Sequence, residues 1–254
     1  GTVDTRANLT VDFGFYQPVT LGNYVWYDLN VNGTQDAGEP AGTGLTVRLY
    51  DENSVEILVG PDGILGTVDD APGGMVTNGA GLYQFSNLPP GDYVVRLTPP
   101  TGYEATPTNG GDPDNNPSDT DNNGIQVGNF IQSAVVTLTA NGEPTGEGGI
   151  QTPDDDNTNN TVDFGLAGYS LGNRVWADVN NNGLIDGTEL GISGVTVALF
   201  LSDGVTPFNV GDDGIRGTAD DAGDNTVTTD ANGYYRFDNL PAGDYIVRVT
   251  NPAG

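Results

Sequence analysis

Apolar and polar residues alternate along this chain with a period of two. Leu45, Val47 and Leu49 share one face of LTVRLY (residues 45–50), and Val195, Val197 and Leu199 one face of VTVALF (195–200). Successive side chains of an extended strand point to opposite faces, so this rhythm predicts half-buried β-strands. Asn23–Tyr27, Tyr83–Phe85, Tyr93–Leu97, Tyr235–Phe237 and Tyr245–Val249 read the same way, with Val135–Leu138 and Thr161–Phe164 as further strand candidates. TDANGYY (229–235) reads as a hairpin turn, with Gly233 free to take a positive φ. Many short strands joined by Gly- and Pro-rich turns predict an all-β chain of Ig-like antiparallel sandwiches. LPPGDY (88–93) and LPAGDY (240–245) admit two readings. In one, Tyr93 and Tyr245 cap a turn through their hydroxyls as a tyrosine corner; in the other, both are plain core residues.

The pattern also recurs at long range. LGNYVWYDLNVNGTQDAGE from Leu21 returns as LGNRVWADVNNNGLIDGTE from Leu171, 150 residues on. VGPDGILGTVDDA from Val59 matches VGDDGIRGTADDA from Val210, and GLYQFSNLPPGDYVVR from Gly81 matches GYYRFDNLPAGDYIVR from Gly233. VDFG starts at Val11 and again at Val162. Residues 1–17 therefore read as the tail of a preceding unit, 18–168 as one full unit, and 169–254 as a following unit without its last part. The expectation is a piece of a longer tandem array, whose partners are neighbouring repeats. The other reading is that residues 1–17 donate a strand to an incomplete unit of another molecule, giving a homopolymer.

Charge narrows the chemistry. The chain has 254 residues, 35 of them acidic and 7 basic, for a formal charge of −28, and it has no Lys, His or Cys. Disulfides, zinc thiolates, imidazole bases and Schiff bases are excluded. So negative a surface repels nucleic acid and anionic membranes and attracts cations. No stretch reaches the roughly 20 apolar residues that span a bilayer, so direct membrane insertion is not expected. Disorder is the simple reading of an acidic chain, but 11 Tyr, 8 Phe and 2 Trp in alternating patterns argue for packed cores. An enzyme is not expected either. The carboxylates are duplicated between units, whereas an active site needs one asymmetric cleft.

The acidic residues follow a metal-binding spacing. Residues 28–39, DLNVNGTQDAGE, match every fixed position of the EF-hand loop D-x-[DN]-x-[DN]-G-x5-E. Calcium takes six to eight hard oxygens, which such a loop supplies from positions 1, 3, 5, 7, 9 and 12. Here these are Asp28, Asn30, Asn32, the Thr34 carbonyl, Asp36 and Glu39. The second copy, DVNNNGLIDGTE, offers Asp178, Asn180, Asn182, the Leu184 carbonyl, Asp186 and Glu189. No helices flank either loop. A strand entering and Pro40 or Gly191 leaving would hold the ligands, and without movable helices the ion would be structural, not signalling. Further ions are expected at Asp62, Asp69 and Asp70 and at the twin set Asp212, Asp213, Asp220 and Asp221, with Asp224 just beyond; a solvated acidic loop is the alternative. Asp112, Asp114, Asp119 and Asp121 within residues 110–124, and Asp154, Asp155 and Asp156 within 152–160, either bind ions or form polar loops.

The stretches GNYVWYDLNVNGTQDAGEP, LTVRLYD and GLYQFSNLPPGDYVV, with their second copies, resemble the B repeats of serine-aspartate-repeat surface adhesins, the SdrD B-like family related to collagen-adhesin B-type domains. The likeness covers roughly residues 21–98 and 171–249. It implies extracellular, calcium-rigidified Ig-like modules on a bacterial cell surface, acting as a stalk. It places the metal role on Asp28, Asn30, Asn32, Asp36 and Glu39 and on Asp178, Asn180, Asn182, Asp186 and Glu189. Related pilin and adhesin domains often carry a Lys–Asn crosslink, which a chain without Lys cannot form. The other function class is a binding module for a host protein or glycan, with Tyr16, Tyr24 or Tyr103 lining a site, although partly buried packing is the commoner role for each.

Overall fold

The structure, a computed structural model, describes residues 14–109, 111, 113–114, 120–147, 153–187, 189–211 and 214–250. Among these residues every regular element is a strand, as the alternation predicts. The first repeat holds β1 (Val19–Tyr27), β2 (Thr46–Asp51), β3 (Glu56–Ile57), β4 (Met75–Val76), β5 (Leu82–Leu88), β6 (Gly91–Leu97), β7 (Glu104–Ala105), β8 (Ile125–Val127), β9 (Phe130–Gln132), β10 (Val136–Leu138), β11 (Thr158–Asn159) and β12 (Phe164–Ala167). The second holds β13 (Tyr169–Arg174), β14 (Thr196–Leu201), β15 (Thr226–Thr228), β16 (Tyr234–Leu240) and β17 (Tyr245–Val249).

In the first repeat β1 is the centre of one sheet. β5 runs antiparallel along one edge of it, and β11 and then β12 run parallel along the other, with β7 outside β12. The facing sheet has the order β3-β2-β6-β9-β8, with β10 joined to β6 and β4 to β2. The core between them takes the inward residues of each strand: Leu21 and Val25 of β1, Val47 and Leu49 of β2, Phe85 of β5, Val95 of β6 and Phe164 of β12. Leu45 is buried beside Val47 and Leu49, so the expected face of 45–50 is the inner one.

The tyrosine-corner reading holds. Tyr93 Oη donates to the Pro89 carbonyl at 2.5 Å and Tyr245 Oη to the Pro241 carbonyl at 2.7 Å, each four residues upstream. The strand expected over Thr161–Phe164 is displaced to Phe164–Ala167. Residues 160–163 lie along β1, but side chains take three of their four backbone donors, Val162 N alone reaching the Gly22 carbonyl. Asn160 N donates to Glu147, Thr161 N to Asn159 Oδ1, and Asp163 N to Asn123 Oδ1. Such local bonds compete with a ladder.

The second repeat has a smaller core of Val197, Leu199, Val210, Val227, Phe237 and Leu240. Its sheets are β13-β16 and β15-β14-β17. A single residue, Gly168, separates β12 from β13, and a Cβ there would come within 2.8 Å of the Asn239 backbone. Across this junction Tyr103 Oη donates to the Asn239 carbonyl at 2.7 Å, and Ala242 N to the Gly102 carbonyl at 2.8 Å. The Tyr103 ring packs on Tyr27 with centroids 5.0 Å apart. Burial pushes the Tyr103 phenol up, so its donor proton stays in place across the physiological range. Tyr103→Phe removes a bond worth about 1 kcal/mol. The expected result in residual dipolar couplings is one shared alignment tensor for both repeats of the native chain and two in the variant.

Candidate metal centres

The two loops of matching sequence follow equivalent strands, starting at Asp28 directly after β1 and at Asp178 four residues after β13. Within the first, the Asp28 carboxylate accepts the Gly33 and Asn32 backbone N–H groups at 2.7 and 3.2 Å. Asn30 and Asn32 turn their Oδ1 atoms onto backbone N–H groups at 3.1 and 2.6 Å and their amide donors onto Asp36, both at 2.8 Å. Glu39 closes the loop through both oxygens, taking Leu29 N at 2.8 Å and Asp36 N at 3.0 Å. The second loop repeats these contacts. Asp178 takes Gly183 N and Asn182 N, Asn180 and Asn182 donate to Asp186, and Glu189 takes Val179 N and Asp186 N. The Thr34 and Leu184 positions supply backbone donors to Asn32 and Asn182.

Electrostatics within the first loop are those of crowded oxygens. Burial pushes the Glu39 carboxyl up, against its backbone bonds, and the charges of Asp28 and Asp36 add to the rise. The Asn30 and Asn32 amides hold the exposed Asp36 carboxyl below its usual range. Among the described residues no three acidic side chains stand close enough to hold an ion by carboxylates alone. In each loop the two amide groups directed at Asp36 or Asp186 supply the partial positive charge that the oxygens share.

The loops differ in their surroundings. The first is clamped by the long segment after β7. Asn109 Nδ2 donates to Thr34 Oγ1 at 2.6 Å, Gln35 N to the Thr120 carbonyl at 2.7 Å, and Asn122 N to the Gly33 carbonyl at 2.9 Å. A Cβ on Gly33 would meet the Pro107 carbonyl at 2.2 Å, whereas one on Gly183 meets nothing within 4 Å. Both glycines have positive φ, 76° and 77°. Gly33→Ala therefore carries a clash beyond the shared backbone strain of about 1 kcal/mol. It is expected to lower the urea midpoint by at least twice as much as Gly183→Ala.

The other acidic sets are less concentrated. Asp62 accepts Ile64 N, Asp69 the Thr67 hydroxyl at 2.6 Å, and Asp70 Gly66 N. Hydrogen bonding, first from Thr67, lowers the Asp69 carboxyl. In the twin loop Thr218 donates to Asp220, and Gly217 N and Arg216 donate to Asp221, so one carboxylate is already ion-paired, at 2.8 Å. Asp224 caps Thr226. Asp114 accepts Thr137 N, and Asp121 is buried and accepts Gly111 N. Asp154 accepts Gly146 N, Asp155 the Thr158 hydroxyl and Asp156 the Asn157 amide. The sites proposed at Asp112, Asp119, Asp212 and Asp213 lie outside the described residues. Of the aromatics considered for ligand binding, Tyr24 and Tyr103 are each only 8% exposed and belong to packing; Tyr16 is half exposed.

The sequence reading missed a buried polar group in the first repeat. Glu143 takes Thr139 N and Asn159 Nδ2, and Glu147 takes Asn160 N at 3.2 Å with both oxygens. Two Glu four apart in the Gly- and Pro-rich NGEPTGEGG were the available signal. Burial pushes Glu147 up to about 7, its bonds from Asn160 opposing and the charges of Asp154 and Glu143 adding. The unfolded carboxyl titrates near 4.5. Between those values the folded chain holds a proton that the unfolded chain has released. The stabilisation is thus complete below pH 4.5 and is lost as pH rises through 7. The expected loss is about 2 kcal/mol, at about 1.4 kcal/mol per unit with some solvent relaxation. Urea melts in chelator at pH 5 and pH 8 should show it, and Glu147→Gln should remove it.

Comparison with known proteins follows the repeat boundaries. Residues 19–166 and 169–254 each match the SdrD B-like domain. The chain is 35% identical over 258 residues to serine-aspartate repeat-containing protein D of Staphylococcus aureus (strain MW2), covering all of this chain and 15% of that protein. It is 34% identical over 259 residues to serine-aspartate repeat-containing protein F of Staphylococcus epidermidis, covering 12% of it. Among solved structures, the SpaE basal pilin of Lactobacillus rhamnosus GG aligns over 93% of this chain and 82% of its own, at 12% identity and a TM-score of 0.42. The shaft pilin SpaA of the same organism gives 94%, 89%, 16% and 0.36. The sequence match alone covers both repeats: the chain belongs to the SdrD B-like domain family.

Proposed function

We propose that this chain is a non-catalytic structural segment of a bacterial surface protein, an extracellular stalk or filament piece that calcium stiffens. The observation that carries the reading is the duplicated loop. Two segments of matching sequence, 150 apart, make the same hydrogen bonds among their Asp, Asn and Gly residues. The donor set is wholly oxygen, and hard cations with six to eight ligands suit it. Asp28, Asn30, Asn32, the Thr34 carbonyl, Asp36 and Glu39 would hold one ion, and Asp178, Asn180, Asn182, the Leu184 carbonyl, Asp186 and Glu189 another. The ion supplies charge neutralisation among carboxylates that otherwise repel.

The mechanical effect comes from where the loops attach. The first joins the end of β1 to the segment leading to β2 and is bonded to Asn109, Thr120 and Asn122. Tightening it ties those three parts together. The full length of the relatives is far greater than this chain, and the surface location and the assembly come to it from the family. Calcium titration by calorimetry tests the reading. The expected result is a site lost with Glu39→Gln and a separate one lost with Glu189→Gln. No heat or stoichiometric uptake at millimolar calcium would remove calcium from the account.

A further inference from the structure

We propose that the outer face of the β2-β6-β9-β8 sheet in the first repeat binds a partner protein that presents a carboxylate among aliphatic side chains, and that Arg48 and Arg96 hold that carboxylate. The proposal goes beyond the structural-repeat reading and does not depend on bound calcium. Alternation puts Val47, Leu49, Val95, Leu97 and Ile131 in the core. It therefore turns Arg48, Tyr50, Arg96, Phe130 and Gln132 to the other face of the sheet. Strand register sets these in rows. Ile125 stands opposite Gln132, Gln132 opposite Arg96, and Arg96 opposite Arg48. In the next row Val127 stands opposite Phe130, and Val76 opposite Thr46.

The centre of this face is a cation already fixed in place. The Arg96 guanidinium lies over the Tyr50 ring, 4.1 Å from its centroid, and over the Phe130 ring at 4.7 Å. Its Nε donates to Gln132 at 3.1 Å and one terminal nitrogen to Ser54 at 2.9 Å. Both partners are neutral. A guanidinium has five N–H donors, so three remain unused on a group whose orientation is set. Arg48 stands directly across from it. Its Nε is buried without a hydrogen-bond partner, 4.0 Å from a Glu56 oxygen that accepts Gly73 N at 3.0 Å. Like charges directly opposed on paired strands repel. The chain has 35 acidic residues. Even so, among the described residues no carboxylate comes within ion-pair distance of Arg96.

A carboxylate placed on this face takes charge-assisted hydrogen bonds from both guanidinium groups and quenches their repulsion. The two rings hold Arg96 before anything binds, so little side-chain freedom is lost on binding. Around the cations the face is aliphatic, with Val76, Ile125 and Val127 exposed. Arg and Tyr at the centre with apolar neighbours is the composition of a protein-interface hot spot. A glycan fits less well. Sugars stack on aromatic faces, and Tyr50 and Phe130 each turn a face to Arg96. The formal charge of −28 does not forbid the contact. Salt screens exposed charges beyond about 8 Å, whereas the guanidinium bonds act at contact. The second repeat is an internal comparison. It keeps the stack, Arg248 over Phe200 at 4.4 Å, but has Ala198 opposite Arg248 where the first repeat has Arg48.

The arginine Nε–Hε signals in NMR spectra of the isotope-labelled full chain report binding at these side chains. The probe is the end-blocked peptide VEVEV, with VQVQV as its uncharged match and a hyaluronate tetrasaccharide as the glycan arm. VEVEV is expected to move the Arg48 and Arg96 signals, and not that of Arg248, with half-saturation at or below about 1 mM. Arg48→Ala, which removes one cation, and Arg96→Lys, which keeps the charge and loses the fork, should each weaken binding by about tenfold or more. Both variants are first checked for an unchanged circular dichroism melt, and if Arg96→Lys disturbs it, Arg48→Ala decides. Equal binding of VQVQV overturns the proposal, because the carboxylate then plays no part. Hyaluronate binding more tightly than VEVEV overturns it in favour of a glycan. Binding indifferent to Arg48→Ala, or no shift at about 10 mM VEVEV, overturns it too. The titrations are run with calcium and with chelator, so that a failure of the calcium reading is seen separately.

Discussion

Chelation of calcium is expected to lower the melting temperature of this chain by roughly 10 °C or more. An ion present at about a hundred times its dissociation constant adds about 2.7 kcal/mol to the repeat that binds it. One kcal/mol moves the midpoint by about 2–4 °C in a chain of this size, and by more in a smaller cooperative unit. The second repeat should fall first. Its described core has six buried apolar residues, and its loop has no segment clamped over Gly183. The first repeat has a larger core and a loop bonded to Asn109, Thr120 and Asn122. The melt should therefore separate into two transitions in chelator and regain a single higher one in calcium but not in sodium. A midpoint that ignores calcium would leave the loops as hydrogen-bonded turns and nothing more.

The second large effect is expected at Phe164. Its ring is fully buried and packs on Tyr83, while its backbone pairs with Val25 of β1. Phe164→Ala deletes a large core side chain, at a cost of about 3–5 kcal/mol. It also loosens the strand that closes the β1 edge, which makes the first repeat resemble the second. Exchange protection at Thr20, Gly22 and Tyr24 should drop along with stability. Phe237→Ala, in the other core, should leave those amides unaffected. If Phe164→Ala costs under about 1 kcal/mol, the parallel strand is not part of the cooperative fold.

Much of this was legible in the order of residues. Strand identity follows from the period-two face of Leu45, Val47 and Leu49, because alternation is a local property of extended backbone. The two loops were legible because Asp28, Asn30, Asn32, Gly33, Asp36 and Glu39 sit within one turn of chain, so spacing alone brings them together. The tyrosine corners likewise span four residues. The strand at 164–167 was misplaced by three residues because its neighbours Asp163, Asn160 and Thr161 give their donors to Asn123, Glu147 and Asn159. Two of those partners are more than ten residues away, beyond any local pattern. Tyr103 read as packing more readily than as a ligand-lining aromatic, but its partner, the Asn239 carbonyl, is 136 residues away and beyond any local pattern.

The sequence by itself determined the all-β class, the 150-residue repeat, the twin oxygen-rich loops and the exclusion of thiol, imidazole and amine chemistry. Each of these depends on residue type and short spacing. The tertiary structure alone decided what surrounds the elements of the first repeat: its loop is bonded to Asn109, Thr120 and Asn122, and its β1 edge is closed by residues 157–166. Those placements arise from contacts between segments 75 residues apart in Thr34 with Asn109 and 139 apart in Tyr24 with Asp163, whose free energy depends on which backbones lie side by side.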